Sequence, residues 1–143
     1  MQRDVTIAPL QGKSYLSLPL DGLLKGVDAK NVVLLCELMV DGKAVSVNEH
    51  FFKPYKELAM PRAQIGADVA RTRDGFRITL ASDKFARAVY LSLAERDGLF
   101  SDNYFDLFPG KKVDVEFHTR APMALAEFRN QLKIRSMVDA FKD

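Results

Sequence analysis

Leu99-Phe100-Ser101-Asp102-Asn103-Tyr104-Phe105-Asp106-Leu107-Phe108-Pro109-Gly110 sets four aromatic rings, an Asp-Asn pair and a closing Pro-Gly turn within twelve residues. Proline presets its own φ and glycine tolerates the left-handed region, so Pro109-Gly110 is the turn that leads into the next strand. That strand is plain: Val113, Val115 and Phe117 alternate with Asp114, Glu116 and His118, the period of two expected of a half-buried strand. Upstream, Val89, Leu91 and Leu93 share one face of a strand over 86–94, and Asp97-Gly98 turns the chain. Residues 99–110 therefore read as a crossover between a strand ending near Ala94 and one beginning near Val113. Asp102 and Asn103 are its local turn and hydrogen-bonding residues, and Tyr104 and Phe105 anchor it to the core.

Working outward, strands at 67–73 and 76–81 flank Asp74-Gly75, with Phe76, Ile78 and Leu80 facing in and Arg77 and Thr79 facing out. Residues 32–40 are apolar on both faces apart from Glu37, which suits a central strand covered on both sides. Asp41-Gly42 then closes a hairpin with 43–52. Val5 and Ile7 share a face of a short first strand at 4–8. Leu16, Leu18 and Leu20 alternate with Tyr15, Ser17 and Pro19 in a second, and Pro19 confines that one to an edge or an end. Pro54 and Pro61 keep 53–65 a loop. At the far end Pro122 fits the first turn of a helix over 122–131, with Leu125, Phe128 and Leu132 on one face, and 132–135 is extended. The expected architecture is all-β: an immunoglobulin-like antiparallel β-sandwich of about eight strands with a short C-terminal helix. It is read as a single domain over 1–143, with a helical and extended tail at 121–143 packing on the sandwich.

Composition excludes several classes. The 143 residues carry 21 basic and 19 acidic side chains, net +2. Lys111-Lys112 is the longest basic cluster, so there is no nucleic-acid footprint. No apolar run reaches the eighteen or so residues of a membrane span, and residues 1–5 open no signal-peptide core. The lone Cys36 excludes an internal disulfide and, in its apolar run, reads as a buried, inert thiol. There is no Gly-x-Gly-x-x-Gly, no Walker loop and no Gly-x-Ser-x-Gly elbow. His50 and His118 have no metal-ligand spacing. His118 falls on the polar face of its strand, and His50 is expected half-buried in a structural hydrogen bond. Glu37 is placed at a sheet rim or facing a basic partner. Asp97, Asp102 and Asp106 are better explained as turn residues than as calcium ligands. No cofactor, metal or catalytic residue is assigned. A sugar platform would use exposed aromatic faces. Without tryptophan its candidates are Tyr55, Tyr104, Phe100 and Phe105, of which the phenylalanines, with Phe108, suit a core; Tyr55 and Tyr104 are the sugar-contact candidates.

Phe100-Ser101-Asp102-Asn103-Tyr104-Phe105-Asp106-Leu107-Phe108-Pro109-Gly110, with Ala88 to Leu93 before it and Val113 to Phe117 after it, resembles the C-terminal immunoglobulin-like domain of β-mannosidases of glycoside hydrolase family 2. The family pattern there reads Phe-Ser-Asp-Asn-Tyr-Phe-Asp-Leu-Leu-Pro-Gly-Glu, and this chain departs from it at Phe108 and Lys111. Phe51-Phe52-Lys53-Pro54 and Lys56-Glu57-Leu58-Ala59-Met60-Pro61 resemble a second family loop. The similarity covers roughly residues 30–120. It implies that the chain is a fragment of a larger multidomain hydrolase, a retaining glycosidase that removes terminal β-D-mannosyl residues from oligosaccharides or glycoproteins. The family's two catalytic glutamates belong to a barrel domain and match no position here, so the fragment itself is expected not to be an enzyme.

The resemblance makes the chain an accessory domain that packs against other domains of its parent and helps to shape substrate access. The apolar tail residues Met123, Leu125, Phe128, Ile134, Met137, Val138 and Phe141 agree with docking. Two alternatives stand beside it: a carbohydrate-binding module that takes a mannose-containing oligosaccharide on an aromatic platform, and an unrelated adhesion-type immunoglobulin-like module. Compartment is left open for the fragment; a periplasmic or otherwise extracytoplasmic parent is compatible with the resemblance. Neither nucleic acid nor membrane is expected as a partner.

Overall fold

Asp41 and Gly42 both adopt left-handed backbone, φ 49° and 76°, the geometry whose twist matches a two-residue hairpin. They join β1 (Val33–Val40) to β2 (Lys43–Phe51), paired antiparallel from Val33↔Phe51 to Leu38↔Ser46, with a register slip between Leu38 and Met39. In the computed structural model, which describes residues 1–141, this hairpin belongs to a first compact unit spanning residues 1–59; a second begins at Met60. The first unit also holds a single helical turn, α1 (Leu20–Leu23), and two 3₁₀ turns, Ala29–Asn31 and Tyr55–Glu57. Asp28 caps the first 3₁₀ turn by accepting from the Lys30 amide at 3.1 Å. That bond, followed by the contact with the Lys30 side chain, holds the Asp28 carboxyl below its ordinary value of 3.8.

Several expectations for this half are corrected. Residues 4–8 and 15–20 are not strands. Their alternation is real, but a strand also needs a neighbour for its amides and carbonyls, and the sheet described in this unit is β1–β2 alone. Val5, Ile7, Leu16 and Leu20 are exposed. β1 is not a covered central strand: its residues from Cys36 to Val40 are exposed, and Cys36 is an exposed free thiol rather than a buried one. His50 is exposed too, edge-on to Phe52 with ring centroids 4.9 Å apart.

The second unit is the sandwich. One sheet orders β3 (Ile65–Arg71), β4 (Gly75–Ser82), β8 (Lys112–His118) and β6 (Leu99–Phe100); the other orders β7 (Phe105–Leu107), β5 (Ala86–Leu93) and β9 (Leu132–Arg135). Every pairing is antiparallel. The inward rows expected from alternation meet between the sheets: Phe76, Ile78, Leu80, Val115 and Phe117 from one, Val89 and Leu91 from the other, joined by Leu107 of β7, all essentially without exposure. α2 (Leu125–Gln131) closes the core with Phe128, stacked 4.3 Å from Phe76 and 5.0 Å from Phe117. It starts three residues later than expected, after Ala124 as N-cap. Arg129 donates to the Val69 carbonyl at 2.8 Å and Arg71 to the Met123 carbonyl, tying the helix region to β3. The tail expected over 121–143 is described to Phe141; residues 142 and 143 lie outside the described residues.

The chain is thus an all-β immunoglobulin-like sandwich with a short C-terminal helix, but its strands are not all in one sandwich. A single domain over 1–143 would put residues 33–51 in the same two sheets as the rest, whereas β1 and β2 pair only with each other and group with the first unit. The two-residue connection at Asp41-Gly42 makes this pairing a local one, between strands adjacent in sequence.

Candidate functional site

The stretch 99–110 does more than cross over. β6 pairs with β8 in the four-stranded sheet (Phe100↔Phe117), β7 pairs with β5 in the three-stranded sheet (Val89↔Phe105), and the chain then returns to β8. Both short strands were hidden in what the sequence shows as a connection. The side chains of Ser101, Asp102, Asn103 and Asp106 each have a defined bond. Ser101 exchanges two bonds with Glu116: its amide donates to the Glu116 carbonyl at 2.8 Å, and its Oγ accepts from the Glu116 amide at 2.9 Å. Asp102 Oδ1 accepts from the next amide, Asn103, at 2.8 Å.

Asn103 reaches twelve residues back to β5. Its Oδ1 accepts from the Leu91 amide at 2.6 Å and its Nδ2 donates to the Leu91 carbonyl at 3.1 Å. A side-chain amide thereby imitates the donor-acceptor pair of a strand residue and extends the ladder along β5 ahead of the first residue of β7. Asp106 does comparable work at the other end. Between Ala86↔Leu107 and Val89↔Phe105 the register slips, so Arg87 and Ala88 oppose Asp106 alone, a β-bulge. Ala88 sits at φ 49°. The Asp106 carboxylate accepts from the Ala88 amide at 2.7 Å through Oδ1 and from Arg87 at 2.8 Å through Oδ2; the Asp106 and Arg87 side chains are only 8% and 16% exposed.

The aromatic residues divide. Phe100 lies 4.9 Å from Phe117, Phe108 lies 5.0 Å from Phe85, and Phe105 packs on the core. Tyr104 departs from its expected place as a core anchor. Its amide is held by the Val89 carbonyl at 2.7 Å, its backbone is left-handed at φ 64°, and the residue is 69% exposed, with its ring stacked 5.0 Å from Tyr90. Pro109-Gly110 turns with Gly110 at φ 76° and the Lys111 amide bonded to the Phe108 carbonyl. Arg87, Ala88 and Tyr90 were not singled out from the sequence. Alternation puts Arg87 on the inward face with Val89, Leu91 and Leu93, so a charge out of place there was the one signal of the bulge between Ala86 and Val89, and nothing in one strand reveals the carboxylate opposite it.

Tyr55, the other sugar-contact candidate, belongs to the first unit. It is 55% exposed, meets Phe51 edge-on at 5.3 Å, and lines an open depression of about 600 Å³ with Glu49, His50, Phe52, Lys53 and Pro54. His118 Nε2 is 3.6 Å from Glu116 Oε2 on the outer face of β8. Among the described residues no three His, Cys, Asp or Glu side chains cluster as metal ligands.

Comparison with known proteins follows the same division. A model of the mannosidase Ig-fold domain matches residues 60–140, and one of the mannosidase Ig/CBM-like domain matches residues 1–57. The β-mannosidase of Bos taurus is 29% identical over 137 residues, covering 91% of this chain and 16% of the relative. That of Capra hircus is 28% identical over 130 residues, 87% of this chain and 15% of the relative. The crystal structure of β-D-mannosidase from Dictyoglomus thermophilum superposes with a TM-score of 0.67 at 26% identity, over 80% of this chain and 14% of that one. The chain spans about one sixth of the length of these curated relatives.

Proposed function

Because the chain belongs to the mannosidase Ig-fold family, we propose that it serves as a non-catalytic accessory domain of a retaining β-mannosidase-type hydrolase, packing against the other domains of that enzyme and helping to shape access for substrates bearing terminal β-D-mannosyl residues. The observation that carries this reading is the use of Asp106. A retaining glycosidase needs two carboxyl groups about 5–5.5 Å apart beside the scissile bond. Here the most buried carboxylate of the signature stretch is bonded to Arg87 and to the Ala88 amide, which makes it a part of the framework. The test is hydrolysis of an aryl β-mannoside by the purified 143-residue chain. No turnover above buffer is expected, and turnover by that chain would sink the reading.

A second reading has one observation in its favour. The Tyr90–Tyr104 stack presents a fixed, exposed aromatic face, the kind of surface on which a pyranose ring stacks, and it would make the chain a carbohydrate-binding module for mannose-containing oligosaccharides. Titration calorimetry with manno-oligosaccharides separates the two. Binding tighter than about millimolar that is lost in Tyr104→Ala favours the module; no heat at millimolar sugar favours the accessory domain alone.

A further inference from the structure

The outer face of the three-stranded sheet carries a row of side chains that lies outside the core. Directly opposed residues of an antiparallel pair share a face, as do residues two apart on one strand. Tyr90 opposes Arg135 and Ser92 opposes Lys133, while Leu91 between them points into the core. Tyr90, Ser92, Lys133 and Arg135 therefore all face outward. Tyr104, the residue before β7, lays its ring against Tyr90 with 27° between the planes. From β7 across to β9 the order is Tyr104, Tyr90, Arg135. Two observations set this row apart. Tyr104 keeps a left-handed backbone that an aromatic residue avoids. It is pinned there by its own amide on Val89 and by the Asn103 side chain on Leu91, and its ring is turned outward over Tyr90. Strain that neighbouring bonds hold in place clusters at ligand-contacting positions. The second observation is charge. Arg77, Arg87 and Arg96 each face a carboxylate, and Arg71 and Arg129 each donate to a carbonyl. Among the described residues the exposed Lys133 and Arg135 side chains have no such partner. The carboxylates of the flanking segments are already bonded: Asp102 to the Asn103 amide, Asp106 to Arg87 and Asp139 to Ser136.

We propose that this row is a binding surface for acidic sugars: a pyranose ring stacks on Tyr104 and Tyr90, and a carboxylate on that sugar or on its neighbour is held by Arg135 and Lys133. The assignment deepens the second reading of function and rests on it, because the aromatic pair is the same. It adds that the preferred ligand carries negative charge, which a neutral mannose residue lacks. The stack is preformed, so little freedom is lost when a ring settles on it. The Arg135 guanidinium is a planar fork that matches a carboxylate with two parallel bonds. Its strand lies about 5 Å from that of Tyr90, so ring and charge are read side by side. An acidic peptide fits less well. A peptide strand adds to a free sheet edge through backbone bonds, whereas this face presents side chains, with the hydroxyls of Tyr90, Ser92 and Tyr104 available to those of a sugar.

Titrations of the 143-residue chain followed by amide chemical shifts test it, with three probes: a β-1,4-linked mannuronate trimer, the matching neutral mannose trimer, and hexaglutamate. In about 50 mM salt the acidic trimer is expected to bind about tenfold more tightly than the neutral one. The ratio falls to about threefold in about 0.5 M salt, where exposed charges are screened over a few ångströms. The amides of Tyr90, Tyr104 and Arg135 are expected to shift most. Tyr104→Ala abolishes binding of both trimers. The double variant Lys133→Gln, Arg135→Gln binds the two trimers alike, with its affinity for the neutral one unchanged, which a misfolded chain would not do. Equal affinity of the native chain for the two trimers overturns the acidic preference and leaves the second reading of function standing. Acidic-trimer binding with no shift from the neutral one keeps the acidic preference and removes neutral mannose as the ligand. Acidic-trimer binding that survives Tyr104→Ala, or hexaglutamate binding as tightly, overturns the proposal, since charge alone then accounts for it. No shift with either trimer at about tenfold above millimolar concentration removes both the proposal and the second reading.

Discussion

Asp106 stabilises the least regular joint in the sandwich. A left-handed Ala88 costs on the order of 1–2 kcal/mol in an L-residue, and the bulge also takes two residues of β5 out of the normal ladder. The carboxylate offsets both by accepting from the Ala88 amide while holding the Arg87 guanidinium in a largely buried pair. Asp106→Ala removes both bonds and is expected to lower stability by about 3 kcal/mol. Asp106→Asn keeps an acceptor for Ala88 and is expected to lose about half of that, both read from urea unfolding followed by circular dichroism. Asn103→Asp tests the amide that imitates a strand residue. Its carboxylate still accepts from the Leu91 amide but sets a second anionic oxygen against the Leu91 carbonyl, where Nδ2 donates in the native chain. The loss is expected to be about 2 kcal/mol at neutral pH. It shrinks as the pH falls below about 4, where a protonated carboxyl regains a donor. A deficit that does not change with pH would mean that Asn103 contributes through packing and not through this pair.

At the scale of elements, α2 is seven residues long, too short to be helical by itself, and it is held by what it buries. Phe128 is wholly buried between Phe76 and Phe117, so Phe128→Ala is expected to cost about 3–5 kcal/mol, with Phe128→Leu costing less, measured by thermal unfolding. Gly75 makes a comparable demand. A Cβ there would collide with the Phe117 carbonyl, so Gly75→Ala is expected to force β4 away from β8 and to unfold the sandwich at a lower denaturant concentration. The Phe76-Ile78-Leu80 and Val113-Val115-Phe117 rows could be read from sequence because alternation alone decides which side faces in, and the structure puts both rows in the core. Alternation failed at Val5-Ile7 and Leu16-Leu18-Leu20, because a pattern shows that a segment is fit to be a strand and not that a partner is present. The change of sheet inside 99–110 was illegible for another reason. It is set by Asn103, Asp106 and Ser101 bonding to residues twelve to nineteen positions away, and no local period records such a bond. The richness in turn and aromatic residues was legible; that Tyr104 turns outward onto Tyr90 was not, since a left-handed aromatic residue runs against its own preference.

For the whole molecule, the decisive asymmetry is that, among the described residues, the buried core belongs to the second unit alone. Apolar burial is the main favourable term in folding. Domains of about 55–65 residues already fold alone when they have a core, and the part of the chain from Met60 onward exceeds that length. Its seven strands, its helix and the Arg129 and Arg71 bonds to backbone carbonyls all lie within it. A chain beginning at Met60 is therefore expected to unfold in a single cooperative transition, with Tm within about 5 °C of the sandwich transition in the 143-residue chain, a difference of roughly 1 kcal/mol or less for a domain of this size. Residues 1–59 alone are expected to show no cooperative transition. Calorimetry on the three polypeptides decides the matter. If the shorter sandwich melts more than about 15 °C below the full chain, the first unit supplies several kcal/mol to the second, and stability is shared across the chain in spite of where its buried side chains lie.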